Sequence, residues 1–163
     1  MKFYLAACFL IVGLLVSPAA FASGKKEIKS SVSFHIETES TDNPKMIFPQ
    51  LTNGETRYFR RLPEVSTKDI VSFSPFPSDV GEDYGLILRL KTTAVTRLAA
   101  VTAANQGRWL VAQLNGRILD GVMIDKQIND GFIVIWKGVT LADMTLLDAT
   151  MPRIGEEGKK KKK

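Results

Sequence analysis

Three aspartates, Asp120, Asp125 and Asp130, stand five residues apart within the stretch NGRILDGVMIDKQINDGFIVI at residues 115 to 135. Carboxylates this close in sequence raise the question of a cation site or an acid/base strip. A calcium loop needs oxygen ligands at alternate positions and a closing bidentate glutamate, and a spacing of five supplies neither. The spacing predicts carboxylates that solvate turns and strand ends. His35 is the only histidine, with no second histidine and no cysteine nearby to complete a zinc site. A Ser-His-Asp relay would rest wholly on that one ring, and no Gly-x-Ser-x-Gly elbow occurs. Glu37 with Glu39, and Glu82 with Asp83, are acids close enough for acid/base work, but nothing in the sequence places them in a cleft. GRWLVAQLNG, residues 107 to 116, has two glycines but lacks the Lys-Ser/Thr ending of a phosphate loop. The residue types therefore predict no catalytic group, no metal and no cofactor, and the hydrolytic reading is the discarded alternative.

The elements that position these residues follow from periodicity. SVSFHIE alternates Val32, Phe34 and Ile36 against Ser33, His35 and Glu37, the pattern of a half-buried strand with His35 on its polar face. A loop at ESTDNPK, a short extended piece at MIFP and a turn at TNGE follow. DIVSFSPFP is extended and ends in prolines, which suits a sheet edge or exit. YGLILRLK alternates Leu86, Leu88 and Leu90 with Ile87, Arg89 and Lys91. TTAVTRLAAVTAANQG places Val95, Leu98, Ala99 and Thr102 on one helical face and stops at Asn105 to Gly107. Asn115-Gly116 joins two apolar strands through a two-residue hairpin turn. DGFIVIWKG supplies a further strand. Thr140 caps a last helix, with Asp143 as the acid of a capping box, Leu141, Met144 and Leu147 facing inward, and Pro152 as the stop.

This order predicts an α+β fold, a mostly antiparallel sheet with two helices packed on one face, ferredoxin-like or split βαβ. Residues 23 to 83 contribute strands and loops to the same domain, and residues 84 to 152 form its core. A two-residue turn sets Leu114 opposite Arg117, Ala112 opposite Leu119 and Leu110 opposite Gly121. Leu110, Ala112, Leu114 and Leu119 then face the helices. Trp109, Val111, Gln113, Ile118 and Val122 face the other way, joined by Ile87 and by Phe132, Val134 and Trp136. Ile87, Trp109, Val111, Ile118 and Trp136 are the candidate binding face. Either residues 31 to 76 fold over it as a second layer, or it receives an extended peptide or a second copy of the chain.

The ends carry the compartment signals. Lys2 precedes FYLAACFLIVGLLVSPAAFA, and Ala20-Phe21-Ala22 closes the run before Ser23, the basic, apolar, small-x-small order of a secretory signal over residues 1 to 22. A retained anchor needs about 20 apolar residues; Pro18 and the Ala-x-Ala site favour cleavage after Ala22. Cys8 precedes most of the apolar stretch, the wrong order for lipidation. The formal charge of +5 is a property of the ends: without Lys2 and Lys159 to Lys163, 16 basic residues face 17 acidic ones. The body is near neutral, and no basic surface for nucleic acid is expected. Residues 153 to 163 read as a solvated tail. Lys159, Lys160, Lys161, Lys162 and Lys163 could also tether the chain to an anionic membrane or wall surface, at about 1 kcal/mol for each lysine near it.

From Leu86 to Thr150 the chain resembles the periplasmic head subdomain of the SecD protein-export subunit. The resemblance rests on LILRL, then a helix with a threonine near its end, a small-residue break, a Leu-Ala-x-x-Leu-Asp-Gly-like hairpin, an Ile/Gly strand and a threonine opening the last helix. The matching positions are Thr102, Leu110, Leu114, Gly116, Ile128, Gly131, Ile135, Gly138 and Thr140. They are turn glycines and core positions. Asn115 stands where the family usually has aspartate, Val122 lies where it usually turns through a proline, and no apolar segment after residue 22 is long enough to span a membrane. The resemblance implies an exported, periplasmic or extracellular, head-like domain that contacts protein or peptide and catalyses nothing. N-terminal sequencing of the exported protein should begin at Ser23; a retained Met1, or lipid on Cys8, would refute the signal reading.

Overall fold

The computed structural model describes residues 29–79 and 81–158. The segment read as a signal, with Cys8 and its Ala22/Ser23 junction, and Lys159 to Lys163 lie outside the described residues. The chain runs β1 (Val32–Thr38), β2 (Ile47–Thr52), β3 (Glu55–Arg60), β4 (Val65–Ser66), β5 (Ile70–Pro77), β6 (Tyr84–Leu90), α1 (Thr92–Ala104), β7 (Trp109–Leu114), β8 (Arg117–Met123), β9 (Phe132–Val139) and α2 (Leu141–Thr150). The fold is α+β, and every pair of named strands is antiparallel.

The strands divide into two ladders. One has the order β2-β3-β1-β7-β8, with β4 also on β1, and the other has the order β5-β6-β9. A single core unites them. Phe34 and Ile36 from β1, Phe73 from β5, Leu86 and Leu88 from β6, Leu98 from α1, Leu110 and Leu114 from β7, Ile135 from β9 and Leu147 from α2 are all buried in it. Burying one such side chain contributes roughly 1.5–3 kcal/mol, so this cluster is the main source of stability. The helices meet it largely as their periodicity predicts, with Leu98 and Thr102 of α1 and Met144 and Leu147 of α2 buried; on α1 Ala94 is buried in place of the expected Val95 and Ala99, which are half-buried. Leu141 departs from the expectation and is 66% exposed. It is the first residue of α2.

Two turn devices fix the register. Asn115 and Gly116 have φ of 51° and 81°, and Asn53 and Gly54, between β2 and β3, repeat the pattern at 51° and 80°. Both are the left-handed pair that a two-residue hairpin demands. Leu114 pairs with Arg117 and Gln113 with Ile118, but a bulge then shifts the ladder, so Ala112 faces Asp120, Val111 faces Gly121 and Leu110 faces Val122. The expected pairing of Leu110 with Gly121 is therefore corrected. The extra residue, Leu119, reverses the alternation beyond it, and Val122 packs against the core instead of pointing outward.

Polar side chains tie the hairpin to the helix. Thr140 and Asp143 form the expected capping box. The Asp143 carboxylate also accepts the Asn115 amide at 2.8 Å and the Arg117 guanidinium at 2.6 Å. Asn115 Oδ1 accepts from the Ser30 hydroxyl and from the Ser31 N–H, both at 3.0 Å. Burial alone would raise the Asp143 pKa, but Thr140, Asn115 and Arg117 together hold it below the usual value. The Ser30 N–H donates to Thr150 Oγ1 at 2.9 Å, which ties the lead into β1 to the end of α2.

Residues 153–157, read as tail from the sequence, pack on the body. The Phe73 N–H donates to the Pro152 carbonyl at 3.2 Å and the Ile154 N–H to the Phe73 carbonyl at 2.8 Å, so this segment lines the free edge of β5. Glu157 accepts from the Ser72 hydroxyl at 2.7 Å and from Arg89 at 3.0 Å. The Ser72 contact leads in lowering its pKa to about 2.

No atom lies within 4 Å of where a Cβ on Gly116 would stand, so Gly116→Val tests backbone conformation alone. It should cost on the order of 1 to 2 kcal/mol or more, through the forced left-handed geometry. The readout is a lower urea midpoint at unchanged slope; an unmoved midpoint would contradict the turn.

Candidate functional site

The five residues of the expected binding face are not one surface. Val111 is 1% exposed, whereas Trp136 is 55% exposed. Trp109 and Ile118 are half-buried on the β7–β8 side, and Ile87 is half-buried on β6. Trp136 belongs to the three-stranded ladder, where its ring stands edge-on to Phe76 at 6.1 Å. The outer surface therefore falls into two parts.

The β2–β3 hairpin covers the first part. Phe48 meets the His35 ring edge-on at 5.3 Å, Phe48 and Phe59 lie 5.9 Å apart, and Thr52 closes over Gly121, whose absent side chain makes the room. Ile47, Phe59 and Val111 are buried here, apart from the main core. The Arg57 guanidinium lies 5.3 Å above the Trp109 ring and bonds Glu37 at 2.9 Å, while the Trp109 N–H donates to the same carboxylate at 2.8 Å. Glu39 binds Arg108, and Asp83 accepts the Gly138 N–H. Three of the four acids considered for acid/base work thus hold the fold together.

His35 is also corrected: it is 5% exposed, because the hairpin covers what alternation marks as a polar face. Its Nδ1 donates to the Arg60 carbonyl at 2.8 Å, which leaves Nε2 to accept from the Ser33 hydroxyl at 2.9 Å. A base hydrogen-bonded to a serine is one part of nucleophilic catalysis, but here the second nitrogen rests on a carbonyl instead of a carboxylate. Burial lowers the His35 pKa below 6.5, outweighing the opposing effects of the Arg60 carbonyl, Gln113 and Glu64.

The three aspartates meet at one place, the seam between β8 and β9. A cleft of about 320 Å³ opens there, lined by both strands and floored by Phe34, Leu110, Ala112, Val122, Ile128 and Ile133. Asp120, Asp125 and Asp130 line it as well, together with the exposed Met123 and Trp136. Asp120 bridges the two strands: its Oδ1 accepts the Gly121 N–H at 3.0 Å and its Oδ2 the Trp136 N–H at 2.9 Å. Asp130 accepts the Phe132 N–H at 3.0 Å. No cluster of three potential metal ligands occurs among the described residues. The expected role at turns and strand ends holds for Asp120 and Asp130, but nothing in the spacing foretold that β9 would pair with β6 and bring the three to one cleft.

Comparison with known proteins bears on the fold. A solved structure of SecDF, described as a membrane component that enhances protein export, superposes with a TM-score of 0.52 at 16% identity, over 74% of this chain and 61% of that one. The chain is similar in fold to SecDF. A second structure, SecDF in its super-membrane-facing form, gives a TM-score of 0.51 at 16% identity, over 72% of this chain and 18% of that chain. The chain thus spans less than two thirds of either SecDF chain. The SecD resemblance read from residues 86 to 150 therefore extends, as fold, into the N-terminal strands. No protein-family profile matches the sequence, and neither does any curated protein. No helix among the described residues is long and apolar enough to cross a membrane.

The buried neutral ring makes a pH prediction. Unfolding exposes His35 and restores its ordinary proton affinity near pH 6.5, so the unfolded chain binds more protons as pH falls through that value. The contribution from His35 is therefore fully present above pH 6.5 and declines below it. Denaturant titrations at several pH values should show this slope in the wild type and a shallower one in His35→Gln; equal slopes would contradict it.

Proposed function

We propose that this chain is an exported, non-catalytic module that contacts polypeptide in the cell envelope in connection with protein export. The observation that carries the reading is the seam, an apolar cleft continuous with the core and bounded by two strand edges. Clefts of roughly 300 Å³ and above, apolar with a few polar groups at the rim, are the usual form of a binding site. Its lining offers carboxylates and apolar side chains, a composition suited to holding a chain. The fold likeness to SecDF supports the export setting, and the secretory-signal pattern in the sequence of residues 1 to 22 supports the envelope.

The test is capture of unfolded protein. Residues 23–163 should bind a reduced, carboxymethylated polypeptide about tenfold more tightly than the same polypeptide folded, a difference of about 1.4 kcal/mol. A companion ending at Gly158 separates the body from the lysine tail. Equal affinity for the folded and unfolded forms would overturn the reading, and so would binding that vanishes without the tail.

A further inference from the structure

We infer that the β8–β9 seam receives an extended polypeptide segment as an added strand, and that it favours segments with basic residues at alternate positions. The inference rests on the polypeptide-contact reading and supplies its mode.

An unpaired strand edge is a template for another strand, and folds guard their edges. Here the guarding is uneven. The outer edge of β2 carries Pro49 in mid-strand, which removes a donor. The outer edge of β5 is lined by Pro152 and Ile154. Of the edges that remain, β4 is only two residues long, and β8 and β9 face one another across the cleft.

The direction of their backbone groups follows from the bonds around them. In an antiparallel strand, alternate residues turn their N–H and C=O to the same side. Gly131 gives its carbonyl to Leu90 at 2.9 Å, so odd-numbered residues of β9 face β6. Phe132 and Trp136 turn away from β6 and bond Asp130 and Asp120. Val134, between them, presents its N–H and C=O to the seam. On β8, Ile124 exchanges bonds of 2.8 Å with Arg108 and Gly107, so even-numbered residues face β7. Gly121 and Met123 therefore turn toward β9. At the closed end the Asp120 carboxylate, spanning Gly121 and Trp136, takes the place that a strand's carbonyls would hold.

An inserted strand would find donors and acceptors on both sides. Its side chains would alternate between the apolar floor and the solvent side. At the rim stand the exposed Asp125 and Asp130, and no lysine or arginine lines the cleft. Charge complementarity therefore selects basic residues at the alternate, outward positions.

The probe is a short peptide of alternating lysine and valine, titrated into residues 23–163 with amide exchange followed by NMR. Binding should protect the Met123 and Val134 amides. Methylating the peptide's backbone nitrogens along one edge keeps its side chains and should weaken binding about tenfold or more, through lost strand bonds. Replacing lysine by glutamate should weaken it also. The double variant Asp125→Asn, Asp130→Asn should lose about threefold to tenfold for the lysine peptide, as rim-exposed ion pairs do, and lose most of its salt dependence. Undiminished binding of the methylated peptide, or protection at Gln113 and Ile118 in place of Met123 and Val134, overturns strand addition while unfolded-protein capture still stands. If no unfolded chain is captured at all, it is the polypeptide-contact reading that fails. Protection of the same amides in concentrated protein without peptide, accompanied by dimerisation, assigns the seam to a second copy and overturns the foreign-segment inference.

Discussion

The fold depends on one strand without a solvent face. β1 pairs with β7 along one edge and with β3 and β4 in succession along the other. It sends Val32, Phe34 and Ile36 into the main core and His35 into the smaller cluster under the β2–β3 hairpin. Every long-range pairing of the larger ladder passes through it. Because both faces are occupied, a one-residue slip would exchange a histidine for phenylalanine or isoleucine on each side. The buried ring, with both nitrogens hydrogen-bonded, makes that slip costly, since a misplaced imidazole would lose both partners. His35 is therefore a polar residue that specifies register.

What could be read from the sequence was local. The capping box at Thr140 and Asp143, the α1 stripe through Leu98 and Thr102, and the Asn115-Gly116 turn each depend on neighbours within a few residues, and each is present. The α+β class followed from them. What could not be read depends on distant chain. Alternation around His35 promised a polar face, yet Phe48 arrives from another hairpin to cover it. The bulge at Leu119 has no local signature of its own, and it alone moved Val122 from the outer face to the core. The candidate face was divided for the same reason: Trp136 and Trp109 were grouped by pattern, and the departure of β9 to β6 put them in separate ladders.

The seam illustrates how two ladders share one core without joining. β9 approaches β8 closely at one end, where a Cβ on Gly138 would stand 3.3 Å from Leu119, and Asp120 spans the strands beside it. Met123 and Phe132 line the open cleft beyond that link. A carboxylate accepting from two backbone amides is a short, polar link in place of a ladder, and it leaves the remaining edge groups uncommitted. Asp120, the residue that first suggested chemistry, instead sets the width of a gap.

The bond from the Ser30 N–H to Thr150 has a topological meaning. A body whose lead into its first strand is tied to the end of its last helix is closed like a ring: neither end can fray by itself, since loosening α2 also frees the entry to β1. Residues 152–157 then act as a strap laid over that closure, running from α2 to the edge of β5 and fastening Glu157 to Ser72 and Arg89.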